Sequence, residues 1–467
     1  MLFNSFKFLI FFPLVCLVYF LLRSNRSRTP FLLVASYFFY MNWKPVYAVL
    51  ILASTAITYF GALLMERGGR KRLWLSLAII LNLAILFVFK YHNFINGAVA
   101  TLLNAVGLRW PVPDFRLLLP VGISFYTFQA LGYLIDVYRG TLRAERNFLT
   151  YALFVSFFPQ LVAGPIERAR NLLPQFHQEH RFSYTEAREG LCQMLWGFFM
   201  KLCVADVLSQ YVDAVFNNVG QHNGTSMAIA SIFFAFQIYC DFGGYSNIAI
   251  GAARVMGFGL MENFHRPYLS LGIKEFWKRW HISLSSWFMD YLYIPLGGNR
   301  CSRGRHLFNL MVTFLVSGLW HGANWTFLLW GALHGVYQVV ATLWRQLFGI
   351  RQYNSLLKRI VARLFCFVLV VFAWIFFRAN NVGEAFTIVS NIFTNWAMPY
   401  VDTSVFSIGL AGLALLVAKD VKDEAGWPVG AFHSKRRWVR YLSVVGMISF
   451  ILLFGALDGS QFIYFQF

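Results

Sequence analysis

An all-α, polytopic membrane protein is the fold class this sequence predicts, on three observations. Hydrophobic residues make up 58% of the 467 residues and charged ones only 13%, which leaves no ordinary polar surface for a soluble domain. The apolar residues fall into repeated runs, several near the ~20 residues a helix needs to cross a bilayer. The Lys and Arg residues, which give a formal charge of +20, sit in short clusters between those runs. They read as positive-inside anchors, not as the broad stripe that binds nucleic acid. Membrane lipid is the expected surrounding, and nucleic acid is not an expected partner.

Taken in order, residues 1–22 form an apolar run followed by Arg23, Arg26 and Arg28. No small-residue cleavage site comes after it, so an uncleaved first span is expected. Runs at 31–64 and 73–89 come next, and the basic loop between them, with Arg67, Arg70, Lys71 and Arg72, is placed in the cytoplasm. The stretch 92–113 holds Gly97, Gly107, Pro111 and Pro113 and reads as pieces shorter than a span. Residues 117–138 and 149–162 are further candidates. The polar segment 168–188 carries His177 and His180, but without supporting cysteine or carboxylate geometry no metal site is expected.

Residues 191–216 contain Lys201 and Asp206, charges that need protein or water around them. Residues 227–250 reach Asp241 beside Gly243 and Gly244, a pattern that predicts a broken helix lining a cavity. Asp241 would there orient a histidine, hold a basic partner, or serve as a buried structural carboxylate. Residues 256–305 are amphipathic and interrupted at Pro267, Gly272, Pro295, Gly297 and Gly298, which predicts re-entrant or interfacial helices. Residues 307–347 supply a helix and its continuation, with a break near Gly322–Asn324 and a close-packing face at Gly331 and Gly335. Runs at 357–377, 405–417 and 441–457 complete roughly a dozen membrane helices by this count. The six cysteines lack paired spacing, and no internal repeat is visible.

The chemistry concentrates in residues 275–335. Two histidines, His281 and His321, lie among tryptophans in lipid-like sequence, and an ionisable group at membrane depth points to function. If 277–288 is one helix, Trp277, His281, Leu284 and Phe288 share a face. His321 stands between Gly318 and Gly322, with Asn324 and Trp325 beyond them, so another backbone or a narrow substrate can approach its ring. A neutral imidazole there suits removal of a proton from an alcohol. His334, on the opposite face of a continuous helix, reads instead as a hydrogen-bonded contact between helices.

The stretches FWKRWHISLSSWFMDYLYIPLGGNR and SGLWHGANWTFLLWGALHG resemble the paired-histidine signature of the membrane-bound O-acyltransferase (MBOAT) family. PQLVAGPIER, FQIYCDFGGYSNIAIGAARVMG and NFHRPYLS also resemble its bacterial branch. The opening FNSFKFLIFFPLVCLVYFLL, VGISFYTFQALGYLIDVYRG and the closing FIYFQF favour the alginate O-acetyltransferase-like subgroup. The resemblance covers nearly the whole chain, implying a single transmembrane domain over 1–467 with its core at 236–335, built as a helical bundle around a central tunnel. It implies that His321 is catalytic and His281 the second, less stringent position. Trp277, Trp280, Trp320, Asn324, Trp325 and Asp241 are candidates for lining the substrate path, and Lys278, Arg279 and Arg300 for meeting donor phosphates. The resemblance further implies transfer of an acetyl group from acetyl-CoA or another acyl thioester, with no bound cofactor. The enzyme would lie in the bacterial inner membrane, with an exported polysaccharide (alginate- or cellulose-like) as acceptor, reached through periplasmic partner proteins. Competing readings are a different load, such as D-alanine to teichoic acid or an acyl chain to protein, and a polysaccharide transporter, against which the missing repeat symmetry counts.

Overall fold

A computed structural model describes all residues except 116, 350–352, 428, 429, 431, 433, 458–461 and 464–467, so most of the closing FIYFQF lies outside the described residues. The described residues form helices and no strands. Eight helices among them are long and apolar enough to cross a membrane. The shortfall from the expected dozen lies in shorter elements such as Phe6–Leu21, which is apolar but has only 16 residues. The chain is a multi-pass membrane protein whose backbone polar groups are satisfied within helices, as lipid requires. It divides into two compact units, residues 1–190 with 252–261, and residues 191–251 with 262–467.

The first unit contains α1 (Phe6–Leu21), α2 (Asn25–Met41), α3 (Ala48–Arg67), α4 (Lys71–Leu86), α5 (His92–Ala105), α6 (Ile123–Tyr138), α7 (Phe148–Ser156), α8 (Phe158–Leu161) and α9 (Ala169–Phe176). The breaks expected within 92–113 are not all present: α4 and α5 run through a π turn at Phe87–Tyr91 as one apolar stretch over Lys71–Ala105. Gly97 stays helical within α5. The stop comes at Gly107, whose φ of 77° is a left-handed turn. Two buried pairs tie these helices together. The Ser54 hydroxyl donates to Asn82 across α3 and α4 (2.5 Å), and the Tyr151 hydroxyl to Thr58 across α7 and α3 (2.7 Å).

Glu167, in the loop before α9, is fully buried and accepts from the Asn171 amide (2.7 Å) and from the Met261 backbone N–H. Burial pushes its carboxyl up to about 7, against the hydrogen bonds that favour the charged form. A folded-state value above the unfolded one means that the fold prefers the protonated acid. Its contribution is therefore complete below the unfolded value near 4.5 and is lost as pH rises through about 7.

α10 (Tyr184–Phe199) leads into the second unit, where a π turn at Met200–Ala205 joins it to α11 (Asp206–Phe216). Then come α12 (Gly224–Val255), α13 (Ile273–Arg279), α14 (Ile282–Phe288), α15 (Arg303–His321), α16 (Trp325–Phe348), α17 (Leu356–Arg378), α18 (Val382–Thr394), α19 (Thr403–Glu424) and α20 (Arg437–Phe454). The helix break predicted at Gly243–Gly244 is corrected: α12 runs unbroken for 32 residues. Those glycines serve close packing instead. A Cβ on Gly244 would lie 2.7 Å from the Gly197 carbonyl oxygen, and one on Gly197 would lie 2.6 Å from that of Gly244. The irregular backbone is on the neighbouring element, in the π turn that carries Lys201. Its ammonium bridges Asp206 and Asp241 at 2.7 Å each, all three buried, so Asp241 holds a basic partner. The second carboxylate oxygen of Asp241 accepts the backbone N–H of Ile463 at 2.7 Å.

The chain also breaks after His321, where the sequence expects it. Gly322 ends α15 in extended backbone, and the Asn324 side chain caps α16 by accepting from the Thr326 N–H. α15 and α16 pack against each other as a hairpin. A Cβ on Gly318 would lie 2.3 Å from the Phe327 carbonyl oxygen, and one on Gly331 would lie 2.4 Å from that of Phe314. His321 and His334 thus lie on two packed helices, which corrects the reading of a continuous one.

The pH linkage is directly testable. Thermal melts in detergent between pH 5 and 8 should show wild-type stability falling by on the order of 3 kcal/mol through the Glu167 titration. Glu167→Gln, which cannot ionise and keeps an oxygen acceptor for one of the two donors, should remove that part of the slope whatever its effect on overall stability; an unaltered slope contradicts the assignment.

Candidate active site

His281 is not on a helix face. α13 ends at Arg279, Trp280 is extended, and His281 takes a left-handed conformation (φ 42°) ahead of α14, so the shared face expected through Trp277, His281, Leu284 and Phe288 does not form. Such a conformation costs a non-glycine residue about 1–2 kcal/mol and is held by its surroundings. The loop at 263–265 supplies the hold. The Asn263 carbonyl accepts the Ile282 N–H (2.9 Å), and the His265 N–H donates to the Arg279 carbonyl (2.9 Å).

The Asn263 side chain then fixes the ring. Its Oδ1 lies 3.0 Å from His281 Nδ1 and accepts from the Ser283 hydroxyl (2.9 Å) and the Ser283 backbone N–H (3.4 Å). Its Nδ2 donates to the Ser246 hydroxyl at 3.1 Å. A backbone N–H can only donate, so the amide end facing it is the oxygen, and His281 must present Nδ1–H to that oxygen. The neutral ring then carries its lone pair on Nε2. Asn263, His281 and Ser283 are completely buried.

The His321 ring centroid lies 6.5 Å from that of His281. Aromatic rings enclose the pair. Trp320 stands edge-on to both, at 4.9 Å from His321 and 5.9 Å from His281; Trp330 and Phe377 flank His321 at 4.9 and 5.3 Å, and Phe242 faces His281 at 4.6 Å. Of the predicted path residues, Trp320 is therefore at the imidazoles. Trp280 is buried against Trp374 (5.0 Å), which stacks on Trp330 (5.7 Å). Trp277 donates its indole N–H to His334 Nδ1 at 3.3 Å, making His334 a contact between α13 and α16. Asn324 is the cap of α16, Trp325 is 56% exposed at its start, and Asp241 belongs to the Lys201 cluster. Of the basic residues, Arg279 is paired with Glu275 (2.6 Å) and Glu424 (2.9 Å), whereas Lys278 and Arg300 are exposed. No group of His, Cys, Asp or Glu among the described residues has the arrangement of a metal site.

Sequence reasoning missed Asn263, Trp330, Trp374, Phe377 and Phe242. Asn263 lies 18 residues from His281, beyond any helical or strand period, and its only signal is its place in NFHRPYLS.

Eight spans and a unit that buries two imidazoles in an aromatic cage define a multi-pass helical membrane protein with ionisable groups in its packed interior. The chain belongs to the membrane-bound O-acyltransferase family, whose sequence profile (MBOAT) matches residues 141–383, a stretch that includes both histidines. It is an enzyme of that class. It is 35% identical to the probable alginate O-acetylase AlgI of Azotobacter vinelandii, covering 99% of each chain. It is 36% identical to the peptidoglycan O-acetyltransferase of Helicobacter pylori, over 84% of this chain and 80% of that one. The teichoic acid D-alanyltransferase of Streptococcus thermophilus is 28% identical, over 55% and 65% respectively.

Replacing Asn263 with alanine strands the His281 Nδ1–H and the Ser283 groups in buried space. The expected loss is about 1–3 kcal/mol, read as a lower melting temperature in detergent, with Asn247→Ala as a partly buried comparison. An Asn263→Ala protein that melts like the wild type contradicts the hold described above.

Proposed function

We propose that this protein is an O-acetyltransferase of the bacterial inner membrane that takes an acetyl group from a cytoplasmic thioester, acetyl-CoA being the simplest, for O-acetylation of an exported polysaccharide. The observation that carries the reading is the buried pair of imidazoles 6.5 Å apart inside the region that matches the family. The end-to-end likeness to a probable alginate O-acetylase supports acetyl as the load and an alginate-like polymer as the acceptor, a cellulose-like one being the alternative the sequence left open. Periplasmic partner proteins complete the proposal by passing the group to the polymer.

In this mechanism the acceptor hydroxyl and the thioester meet between the two rings, along a tunnel through the bundle. His321 takes the hydroxyl proton as the oxygen attacks the acetyl carbonyl carbon. The carbon–sulfur bond breaks, and the proton passes from His321 to the departing thiolate, so no net proton remains on the enzyme. His281, with Nε2 as acceptor, takes a hydrogen bond from a neighbouring hydroxyl of the acceptor and so positions the one that reacts. The rings of Trp320, Trp330 and Phe377 exclude water, which would otherwise consume the thioester. Donor phosphates meet the exposed Lys278 and Arg300, while Arg279 holds Glu275 and Glu424 in place.

The Helicobacter relative, 36% identical, favours a second acceptor, peptidoglycan. Incubating purified protein and its membranes with radiolabelled acetyl-CoA and following label into each polymer distinguishes the two. His321→Ala, folded by its melt, should lower acetyl transfer by about 10²–10⁴-fold, and His281→Ala by less. Full transfer by His321→Ala overturns the assignment, and label that never leaves acetyl-CoA overturns the donor.

A further inference from the structure

Away from the histidines, the second unit holds a cleft of about 310 Å³. Its apolar walls are Phe236 of α12, Tyr268, Leu364 and Phe367 of α17, and Leu416 of α19. Two charged residues complete the lining, Arg363 and Asp420. The rim is exposed and apolar, as a surface in contact with lipid would be. Leu364 is 58% exposed and Val417 42%, and Val361, Phe365 and Val368 continue the exposed apolar strip along α17.

The depth of the charged residues is fixed by the helices that carry them. Arg363 is seven residues into α17 and Asp420 four residues from the end of α19, roughly 10 and 6 Å along the axes. Lys358 and Arg359 open α17, Lys419 and Lys422 close α19, and Lys435, Arg436 and Arg440 come after it, so positive-inside bias places this end at the cytoplasmic surface. Arg363 donates its Nε to the Leu269 carbonyl (3.1 Å), which presents a guanidinium with two further nitrogens. One oxygen of Asp420 accepts the Tyr239 hydroxyl at 3.1 Å, and Tyr268 is fixed through its hydroxyl on the Ala235 carbonyl. An apolar slot open to lipid, with one cation and one carboxylate at headgroup depth, matches a molecule with a hydrocarbon chain, a phosphate and an amine.

We propose that this cleft binds a zwitterionic aminophospholipid, with an acyl chain along Phe236, Leu364 and Phe367, the phosphate on Arg363 and the primary ammonium on Asp420. The carboxylate decides the headgroup. It donates nothing to a purely anionic lipid and repels it, while a primary ammonium offers it charge-assisted hydrogen bonds. A quaternary ammonium carries the charge but no N–H donor. The site is independent of the acyl-transfer reading, because it uses none of the residues around His281 and His321.

Native mass spectrometry of the full-length protein in detergent, with equal amounts of phosphatidylethanolamine and phosphatidylglycerol, tests it. Phosphatidylethanolamine should be retained with about a tenfold preference. Arg363→Ala and Asp420→Asn should each abolish that preference, with melts in lipid-free detergent reporting folding. Leu364→Trp, at an exposed position on the mouth, adds bulk there while leaving both charged residues in the chain, and should remove bound lipid altogether. Equal or tighter binding of phosphatidylglycerol, or full occupancy in Leu364→Trp, overturns the proposal.

Discussion

The hydrogen bonds from His281 and Ser283 to Asn263 are the constraint on which the candidate site depends. A buried polar group without a partner costs about 1–3 kcal/mol. One amide here satisfies an imidazole, a hydroxyl and a backbone N–H at its oxygen, and a second hydroxyl at its nitrogen. The same residue's carbonyl holds the start of α14, so the left-handed turn that places His281 and the hydrogen bond that sets its tautomer have one source. His321 needs no such turn. It ends α15 at the foot of a hairpin whose two helices approach closely because Gly318 and Gly331 carry no side chain.

The rest of the second unit extends that logic to charge. Lys201 between two carboxylates is a buried cluster in which each ion is offset by another; removing one partner would leave an uncompensated charge. It also secures the backbone at Ile463 through Asp241. Phe462, next in line, packs on Phe242 (5.8 Å), whose ring faces His281 (4.6 Å). A polar cluster and the aromatic cage are therefore consecutive layers of one packed interior.

The fold class was legible because hydropathy reports burial in lipid directly, and the stop after His321 because Gly322 and Asn324 are residues that end and begin helices. Both histidines stood out from their apolar surroundings, and the resemblance implied their roles. Tertiary contact set the features that it left open. Gly243 and Gly244 read as a break but are a contact surface for α10, since a glycine's use depends on the backbone facing it. Residues 277–288 read as one helix, yet they are divided at His281 by a loop fixed 18 residues earlier. Trp330 and Phe377 carried no signal in the sequence, and packing places them against His321, with Trp374 stacked behind Trp330.

The site works as described only if the protein holds His281 neutral with its proton on Nδ1, facing Asn263, and its lone pair on Nε2. Solid-state ¹⁵N NMR of histidine-labelled protein in lipid bilayers, with His281→Gln to assign the signal, measures this directly. A protonated Nδ1 and an unprotonated Nε2 are expected for His281 at neutral pH. A proton on Nε2, with Nδ1 bare, would contradict the tautomer and the role of Asn263 together.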